Sequence, residues 1–294
     1  MTALRNHRAV PGAQRLFRPA IGILLLVGRY RRPEWTDGGM TQDQTRLERP
    51  LRVGIVGPGR VGTALARALR DAGVEVEGPV GRGERPAGCD AIVLCVPDGE
   101  IAAAAEVVTA AAPLVGHTSG ATPLSALAHA GVPGFGLHPL QSFAHPGVRF
   151  EGAGAAVAGT SGEALAFATS LAERLGMRPF EIDDEGRAAY HAAASVASNF
   201  LVTLAAAAEA IAAGAGLGRE DARELLAPLV RQTVENVAEL GPERALTGPV
   251  ARGDEATVEA QRAAVEDAAP ELLALFDELV ERTRALAAAR RAPA

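Results

Sequence analysis

Short apolar runs alternate with helical periodicity from Leu51 to Glu181. Leu51–Val56 is a short apolar run, and Thr63–Ala72 then carries apolar residues at helical spacing before Gly73, which suits the end of a helix. The same alternation predicts further strands at Val74–Val80, Cys89–Val96, Pro113–Gly116, Val132–Leu137, Ala155–Ala158 and Arg178–Glu181, and a helix at Ser161–Leu175. Strands that alternate with helices predict an α/β domain with a doubly wound parallel sheet and right-handed crossovers.

After Asp183 the pattern becomes helical. Apolar residues recur at helical spacing in an alanine-rich stretch to Ala213 and in predicted helices at Asp221–Leu240, Glu255–Ala268 and Pro270–Ala288, with a loop at Gly241–Asp254. In the last helix we expect the inward positions to be Leu272, Phe276, Leu279 and Val280. The charged run Asp183-Asp184-Glu185 is typical of a solvated junction or a helix start. The sequence thus predicts an α/β domain over 50–183 and an all-α domain over 184–290.

Residues 1–49 differ from the rest, with scattered Arg, Pro and Gly and one apolar run at Ala20–Val27. That run is much shorter than the roughly 20 residues that span a bilayer, and no small-x-small cleavage site follows it. We interpret the segment as a disordered extension, or as translation begun upstream of a natural start at Met40. A membrane anchor is the less favoured alternative.

Composition excludes several classes of function. The net charge is -6 and aromatic residues make up 4%, which argues against a nucleic-acid binder. The 2 cysteines allow neither a disulfide framework nor a four-cysteine zinc site, and the histidines lack ligand spacing, so we expect no metal. All 29 basic residues are Arg, which excludes a Schiff-base lysine, a lysine general acid and a Walker-type lysine. A reducing, cytoplasmic location fits this composition.

A glycine motif lies between the first predicted strand and the first helix. It reads Gly57-Pro58-Gly59-Arg60-Val61-Gly62. In this context the first glycine allows a tight turn, the second lets the backbone approach a pyrophosphate, and the third allows close packing of helix on strand. The helix N-terminus would face the negative charge. The motif predicts a dinucleotide site; the alternative is a glycine-rich turn without a ligand.

The end of the second strand indicates which dinucleotide. Gly81-Arg82-Gly83 carries no carboxylate before Glu84, whereas a site for NAD usually has one there. Arg82 is placed to bind the 2′-phosphate of NADP, with Arg85 as a second contact. NADP is therefore preferred to NAD, and an Arg82 that is merely exposed is the alternative. The third strand ends at Val96-Pro97-Asp98, which would line the adenosine side and the diphosphate.

Polar residues follow the fourth and fifth predicted strands, where the carboxyl edge of a parallel sheet binds ligands. His117 and Ser119 follow the fourth strand, and His138 and Gln141 follow the fifth. Hydride transfer at a carbinol carbon needs a group that moves the hydroxyl proton, and His is suited to this near neutral pH. His138 is the leading candidate and His117 the second, while a structural role in capping a turn stays open for each.

Two further groups come from the helical domain. His191, Ser195 and Asn199 are spaced i, i+4, i+8, so they share one helical face. The segment 246–254 contains two glycines, the Thr247 hydroxyl and Arg252, which could hold a substrate carboxylate. Its Asp254 suits the N-cap of the following helix, so a plain interhelical turn is the alternative.

Several segments together resemble the Rossmann-like proteins that carry a DUF2520 domain, distant relatives of the 6-phosphogluconate dehydrogenase and ketopantoate reductase superfamily. The segments are GIVGPGRVG (54–62), VLCVPDGEI (93–101), HTSGATPLSAL (117–127), GLHPLQSF (136–143) and LTGPVARGD (246–254). The resemblance implies an NADP-dependent oxidoreductase with a helical dimerisation domain, hence a homodimer. In similar folds the 246–254 loop folds over the site, sometimes from the partner subunit.

The resemblance also exposes a departure. In related dehydrogenases the first helix of the second domain supplies a lysine general acid four residues before an asparagine, and here Asn199 matches the asparagine while Ser195 takes the lysine's place. Either His191 or His138 would then handle the proton, or the protein binds without turnover. We expect hydride transfer between NADP(H) and a small, carboxylate-bearing hydroxy, keto or imino compound. We expect the protein to bind neither nucleic acid nor a membrane. The alternatives are an inactive nucleotide sensor or scaffold and a deazaflavin-linked NADP reductase.

Overall fold

The computed structural model describes residues 50–145 and 147–291, in which seven strands form one sheet. In chain order the strands are β1 (Arg52–Val56), β2 (Glu75–Val80), β3 (Ala91–Leu94), β4 (Leu114–His117), β5 (Gly134–Pro139), β6 (Gly154–Gly159) and β7 (Arg178–Glu181). Their spatial order is β2-β1-β3-β4-β5-β6-β7. The order reverses at β1, so the glycine motif lies at the switch point where such sheets bind ligands. The predictions for residues 1–49, a disordered extension or a membrane anchor, concern residues outside those that the structure describes.

Every neighbouring pair of strands is parallel except β5 and β6, which are antiparallel. The described part of the connection between them, 140–145 and 147–153, contains no helix. A parallel pair needs a long crossover, usually through a helix, whereas a short irregular connection returns the chain antiparallel. The predicted α/β class is confirmed, and this pair departs from the all-parallel sheet.

Helices cover both faces of the sheet. They are α1 (Arg60–Asp71), α2 (Ile101–Val107) and α3 (Gly162–Arg174), with 3₁₀ segments at Asp98–Glu100 and Leu124–Ala130. Helix α3 begins where the Ser161 side chain accepts a hydrogen bond from the Ala164 amide at 3.2 Å, which satisfies one free amide of its first turn.

Side-chain alternation along β5 assigns its residues to two cores. Phe135 and Leu137 belong to the core under α1 and α3. Gly136 and His138 point to the opposite face, which carries Leu124 and the 3₁₀ segment that begins there. This alternation is why His138 leaves the apolar core at the end of the strand.

The part after β7 is helical throughout the described residues. Its helices are α4 (Arg187–Ala197), α5 (Asn199–Ala212), α6 (Arg219–Leu240), α7 (Pro242–Ala245), α8 (Pro249–Arg252), α9 (Glu255–Ala268) and α10 (Leu273–Arg291), with 3₁₀ segments at Ala213–Ala215 and Pro270–Leu272. The predicted loop Gly241–Asp254 thus contains two short helices, each begun by a proline in its first turn. Asp254 caps α9, and its side chain accepts from the Thr257 amide at 3.2 Å. The domain boundary near Asp183 stays a prediction.

The helical part leaves much apolar surface exposed. Phe200, Val202, Leu225 and Leu229 are between 55% and 69% exposed. Leu279 was expected to face inward but is 40% exposed. By length and composition alone, Arg187–Ala215 could cross a membrane, and none of its most apolar stretch is buried. These helices therefore present apolar faces that the described chain does not cover.

Candidate active site

The turn from β1 into α1 requires two of its glycines for packing. Gly57 has a φ of 106°, and a Cβ atom there would lie 2.3 Å from the Cys95 carbonyl oxygen. A Cβ on Gly62 would lie 2.0 Å from the Gly57 carbonyl oxygen, so α1 packs tightly against the turn. A Cβ on Gly59 would meet nothing within 4 Å. Gly59 therefore faces open space, as the close approach of a ligand to the backbone would require.

The N-terminus of α1 faces the same space. Gly59 is the N-cap, no side chain caps this end, and the first turn holds no acidic residue. The first intrahelical bond runs from the Thr63 amide to the Gly59 carbonyl at 2.9 Å, so the amides of Arg60, Val61 and Gly62 precede it. Uncapped amides and the positive end of the helix dipole favour an anion, and a pyrophosphate fits this end.

A cavity of about 350 Å³ opens beside the glycine turn. Six residues predicted for the cofactor line it: Gly57, Pro58, Gly59, Arg82, Val96 and Pro97. Four others do not line it, namely Arg60, Val61, Gly62 and Asp98. The structure adds an apolar wall from α2, made of Ala103, Ala104 and Val107, and the carboxylate of Glu100. Their spacing on one side of a helix just after Pro97 was the available sequence signal for this wall.

Arg82 is 83% exposed and forms an ion pair with Glu100. Sequence reasoning missed this partner, because the two residues belong to turns that follow different strands. The guanidinium thus stands at the mouth of the cavity with a carboxylate beside it.

His138 is half-buried at the end of β5 and contacts Tyr190 of α4. Its Nδ1 atom lies 2.6 Å from the Tyr190 hydroxyl oxygen, and the two rings meet edge to face. Gly120 allows this position, since a Cβ there would lie 2.8 Å from the His138 Cε1 atom. The His191 ring is 6.0 Å from the His138 ring between centroids. Tyr190 directly precedes His191 on α4, and no sequence signal indicated a role for it.

Burial sets the protonation of this pair. Burial lowers the pKa of His138 to about 4. Charge repulsion from His191 and Arg187 adds to this shift, and the Asp98 carboxylate opposes it. Burial raises the pKa of Tyr190 to about 12, and the Arg187 cation counteracts part of that rise. At neutral pH the imidazole is therefore uncharged and the phenol keeps its proton. Near neutrality the imidazolium form of His138 is therefore scarcely populated, which leaves the Tyr190 hydroxyl as the candidate proton donor to a substrate.

Arg187, which sequence reasoning missed, lies buried beneath this contact. Its side chain is 3% exposed, and its Nη2 atom lies over Gly136, 3.2 Å from the place of a Cβ there. Its Nε donates to Asp184 at 2.6 Å, and the Asp184 carboxylate also accepts from the Leu124 amide. Asp184 is itself exposed and lies three residues before α4, as a solvated junction or helix start would, and it also supports the buried Arg187. Nη2 has no hydrogen-bond partner among the described residues, which leaves a buried cation only partly compensated.

His117 is fully buried at the end of β4 and pairs in register with Gly136. Its Nδ1 atom accepts a hydrogen bond from the Ser119 amide at 3.2 Å. Burial, with the Arg187 cation adding, lowers the pKa of His117 to about 4. The side chain is a neutral imidazole inside the protein, so its position matches the structural role that the sequence left open. The Ser119 hydroxyl accepts from the amides of Ala121 and Thr122 and shapes the following turn.

Three predicted substrate or catalytic residues lie in the loop after β5 and along α4. Gln141 holds its own loop, with Nε2 donating to the Arg149 carbonyl at 2.9 Å. His191 and Ser195 are partly exposed on α4. Asn199 is exposed and begins α5, after an irregular Ser198 with φ of -120° and ψ of -72°. The expected continuous face of three polar residues is therefore interrupted before Asn199.

Thr247 and Arg252 lie elsewhere in the helical part. Both are exposed, and α8 packs against α9 and α10. Arg252 lines a cavity of about 430 Å³ together with Arg290. Within the described ranges, no hydrogen bond or ion pair joins either residue to His138. Within one described chain, Thr247 and Arg252 therefore do not join the cluster around His138.

Comparison with protein families gives one match. Residues 154–283 match DUF2520, a domain of unknown function. The chain contains a DUF2520 domain. This domain begins at β6 and includes Tyr190 and Arg187, whereas His138 and the glycine turn precede it. The His138–Tyr190 contact therefore joins the DUF2520 domain to the strand before it, and the resemblance found in the sequence is confirmed.

Solved structures share the fold. A Bacteroides fragilis protein assigned as an NADP oxidoreductase has a TM-score of 0.67 at 22% identity, over 80% of this chain and 98% of that one. A Thermotoga maritima protein has a TM-score of 0.66 at 24% identity, over 82% of this chain and 100% of that one. An imine reductase from Streptomyces aurantiacus has 0.56 at 16% identity, over 82% and 100%. No curated protein sequence matches the chain. At these identities the likeness shows the fold, a Rossmann-like sheet followed by helices.

Proposed function

We propose that this protein is an NADP-dependent oxidoreductase that transfers a hydride between NADP(H) and a small, carboxylate-bearing hydroxy, keto or imino compound. The observation that carries the proposal is the 2.6 Å contact between His138 and Tyr190 at the carboxyl edge of the sheet that also bears the glycine turn. The names of the structurally similar NADP oxidoreductase and imine reductase support the same reaction class.

The cofactor would be held by the glycine turn and the cavity beside it. The α1 N-terminus would bind the pyrophosphate, Arg82 the 2′-phosphate, and the apolar wall of α2 the adenosine. The open space at Gly59 supports this assignment. Bound NADPH supplies the hydride. NADP is favoured over NAD because Arg82 offers a guanidinium for the 2′-phosphate; the carboxylates of Glu84 and Glu100 also line the cavity.

Tyr190 would give the proton that a reduced carbonyl oxygen or imine nitrogen takes up. Its phenol is protonated at neutral pH, and Arg187 lowers the cost of the phenolate that remains. His138, in the tautomer that carries hydrogen on Nδ1, would donate to that phenolate and hold it in place. This arrangement replaces the missing lysine by a phenol. His138 is thus the orienting partner in this proposal rather than the acid.

We also propose a homodimer formed through α5 and α6. Phe200, Val202, Leu225 and Leu229 on these helices are more than half exposed, and exposed apolar patches mark interaction sites. A groove of about 560 Å³ between the helices is lined by apolar residues and by the charged Glu209, Arg219, Arg223 and Arg231. A dimer would also allow Arg252 to reach the partner's site and bind the substrate carboxylate. Light scattering at micromolar concentration should give twice the chain mass, and Leu225→Glu with Leu229→Glu should give a monomer. A wild-type protein that is monomeric would contradict the dimer. A membrane-bound pool on fractionation would contradict the expected cytoplasmic location.

The test of the proposed function is calorimetric titration of the protein with NADPH, NADH and a deazaflavin in parallel, together with Arg82→Ala. NADPH binding that weakens in the variant supports the cofactor site. Single-turnover oxidation of NADPH with small keto acids and cyclic imines then tests the reaction. Binding without turnover of any substrate favours the sensor or scaffold, and deazaflavin binding favours the deazaflavin-linked reductase.

A further inference from the structure

The ion pair between Arg82 and Glu100 spans the mouth of the nucleotide cavity. Arg82 lies in the turn after β2, and Glu100 ends the 3₁₀ turn after β3. Strand β1 lies between these two strands, and its glycine turn forms the floor between the two side chains. The pair therefore joins the two walls of the cavity across that floor.

The Glu100 carboxylate interacts with Arg82 and not with the end of the helix that follows it. Glu100 is the N-cap residue of α2, and its side chain makes no hydrogen bond to the end of that helix. The carboxylate instead contacts the Arg82 guanidinium. The two side chains are 83% and 41% exposed, so solvent screens the pair and it can open at little cost.

A 2′-phosphate and Glu100 require the same guanidinium. If Arg82 turns to the phosphate, the Glu100 carboxylate loses its partner and remains near a group of like charge, which costs free energy. A ribose with a free 2′-hydroxyl imposes no such exchange, because a carboxylate can accept a hydrogen bond from that hydroxyl. The two nicotinamide dinucleotides therefore meet opposite electrostatic responses at Glu100.

We propose that Glu100 is a specificity-determining residue that competes with the 2′-phosphate for Arg82 and so limits the preference for NADPH over NADH. The proposal rests on the proposed function, because it assumes that the cavity binds the adenosine end of a dinucleotide. Glu100 then keeps NADH within reach of a site that Arg82 alone would reserve for NADPH.

The experiment measures Kd for NADPH and NADH by calorimetry at low and high salt. It compares wild type, Glu100→Gln, Arg82→Gln and the double variant. Glu106→Gln removes the same charge from α2, the helix that directly follows Glu100, at a position outside the cavity lining, and serves as the matched control. Glu100→Gln should tighten NADPH roughly three- to tenfold at low salt and less at high salt, while NADH binding stays equal or weakens. With Arg82→Gln already present, the gain should be smaller.

Three results would overturn the assignment of Glu100. These are unchanged NADPH affinity in Glu100→Gln, weaker NADPH binding in that variant, and an equal gain in Glu106→Gln. Each of them leaves the proposed function intact if the wild type binds NADPH. A wild type that binds neither dinucleotide overturns the proposed function, and the role of Glu100 with it.

Discussion

Tyr190 and His138 meet across 2.6 Å, and through this contact the first helix of the DUF2520 domain's helical part engages the end of β5. The residues come from elements that are far apart in sequence, and the buried Arg187 lies close to both. Burial keeps the phenol protonated at neutral pH and by itself opposes proton release, whereas the Arg187 cation and a hydrogen bond from the neutral imidazole would stabilise the phenolate that proton transfer to a substrate leaves. The contact therefore links the fold to the proposed chemistry.

Replacing Tyr190 by Phe should remove the proton donor and leave the fold intact, because the ring stays in place. For a substrate found in the screen, we expect kcat to fall roughly a hundredfold to ten-thousandfold, with NADPH affinity unchanged. Steady-state kinetics and calorimetry measure both quantities. An unchanged kcat would exclude Tyr190 as the donor.

Alanine at Gly62 should chiefly lower the stability of the fold, whereas alanine at Gly59 should chiefly weaken NADPH binding. Gly62→Ala places a Cβ atom 2.0 Å from a backbone oxygen, so we expect a loss of about 1–3 kcal/mol in the free energy of unfolding. Gly59→Ala meets no protein atom within 4 Å and should cost at most about 1 kcal/mol. It should nevertheless weaken NADPH at least roughly tenfold by blocking close approach of the pyrophosphate. Equal NADPH affinity in Gly59→Ala and wild type would show that no ligand approaches this backbone.

His117 should make stability depend on pH below neutrality. Its pKa is about 4 in the folded protein and 6.5 ordinarily, so between these values the unfolded chain takes up a proton that the folded protein does not. The free energy of unfolding should therefore fall as the pH drops from 6.5 to 4, by up to about 3 kcal/mol from this residue. His117→Asn keeps an acceptor for the Ser119 amide and should flatten that slope in urea unfolding. The exposed His129→Asn is the control, and a slope that is the same in both variants would contradict the prediction.

Arg187 should hold the pKa of His138 down by charge repulsion. Arg187→Met removes the cation but keeps an apolar stem, so the pKa of His138 should rise toward its ordinary value. Imidazole NMR signals followed against pH measure this shift. Arg187→Gln provides a second variant if the first does not fold. An unmoved pKa in a folded variant would mean that Arg187 does not contribute, and that burial with His191 and Asp98 sets the protonation of His138.

Much of the fold was predictable because its signals are local. The strands fall within a few residues of their predicted bounds, since a buried strand needs a short apolar run whatever surrounds it. The antiparallel direction of β6 was not predictable from its own residues. The connection from β5 set it, because no crossover helix lies within the described part of that segment.

The candidate site divided along the same line. The glycine turn could be predicted because its conformation depends on neighbours in the chain, as the φ of 106° at Gly57 illustrates. Tyr190 and Glu100 could not be assigned because their partners, His138 and Arg82, lie on other elements. Arg187 could not be assigned because its burial over Gly136 arises only in the folded structure. His117 had the right spacing for catalysis, yet the register of β4 against β5 places it fully inside the protein.

The sequence by itself determined the order of strands and helices, the glycine turn that leads into the first helix, and the absence of any lysine chemistry, because these follow from residue types and short-range spacing. Only the tertiary structure decided which side chains meet. It paired Tyr190 with His138 and Arg82 with Glu100, and it buried Arg187 over Gly136. Those pairings depend on how the sheet edge and the later helices pack, and burial rather than residue type then set the charge of each imidazole and phenol.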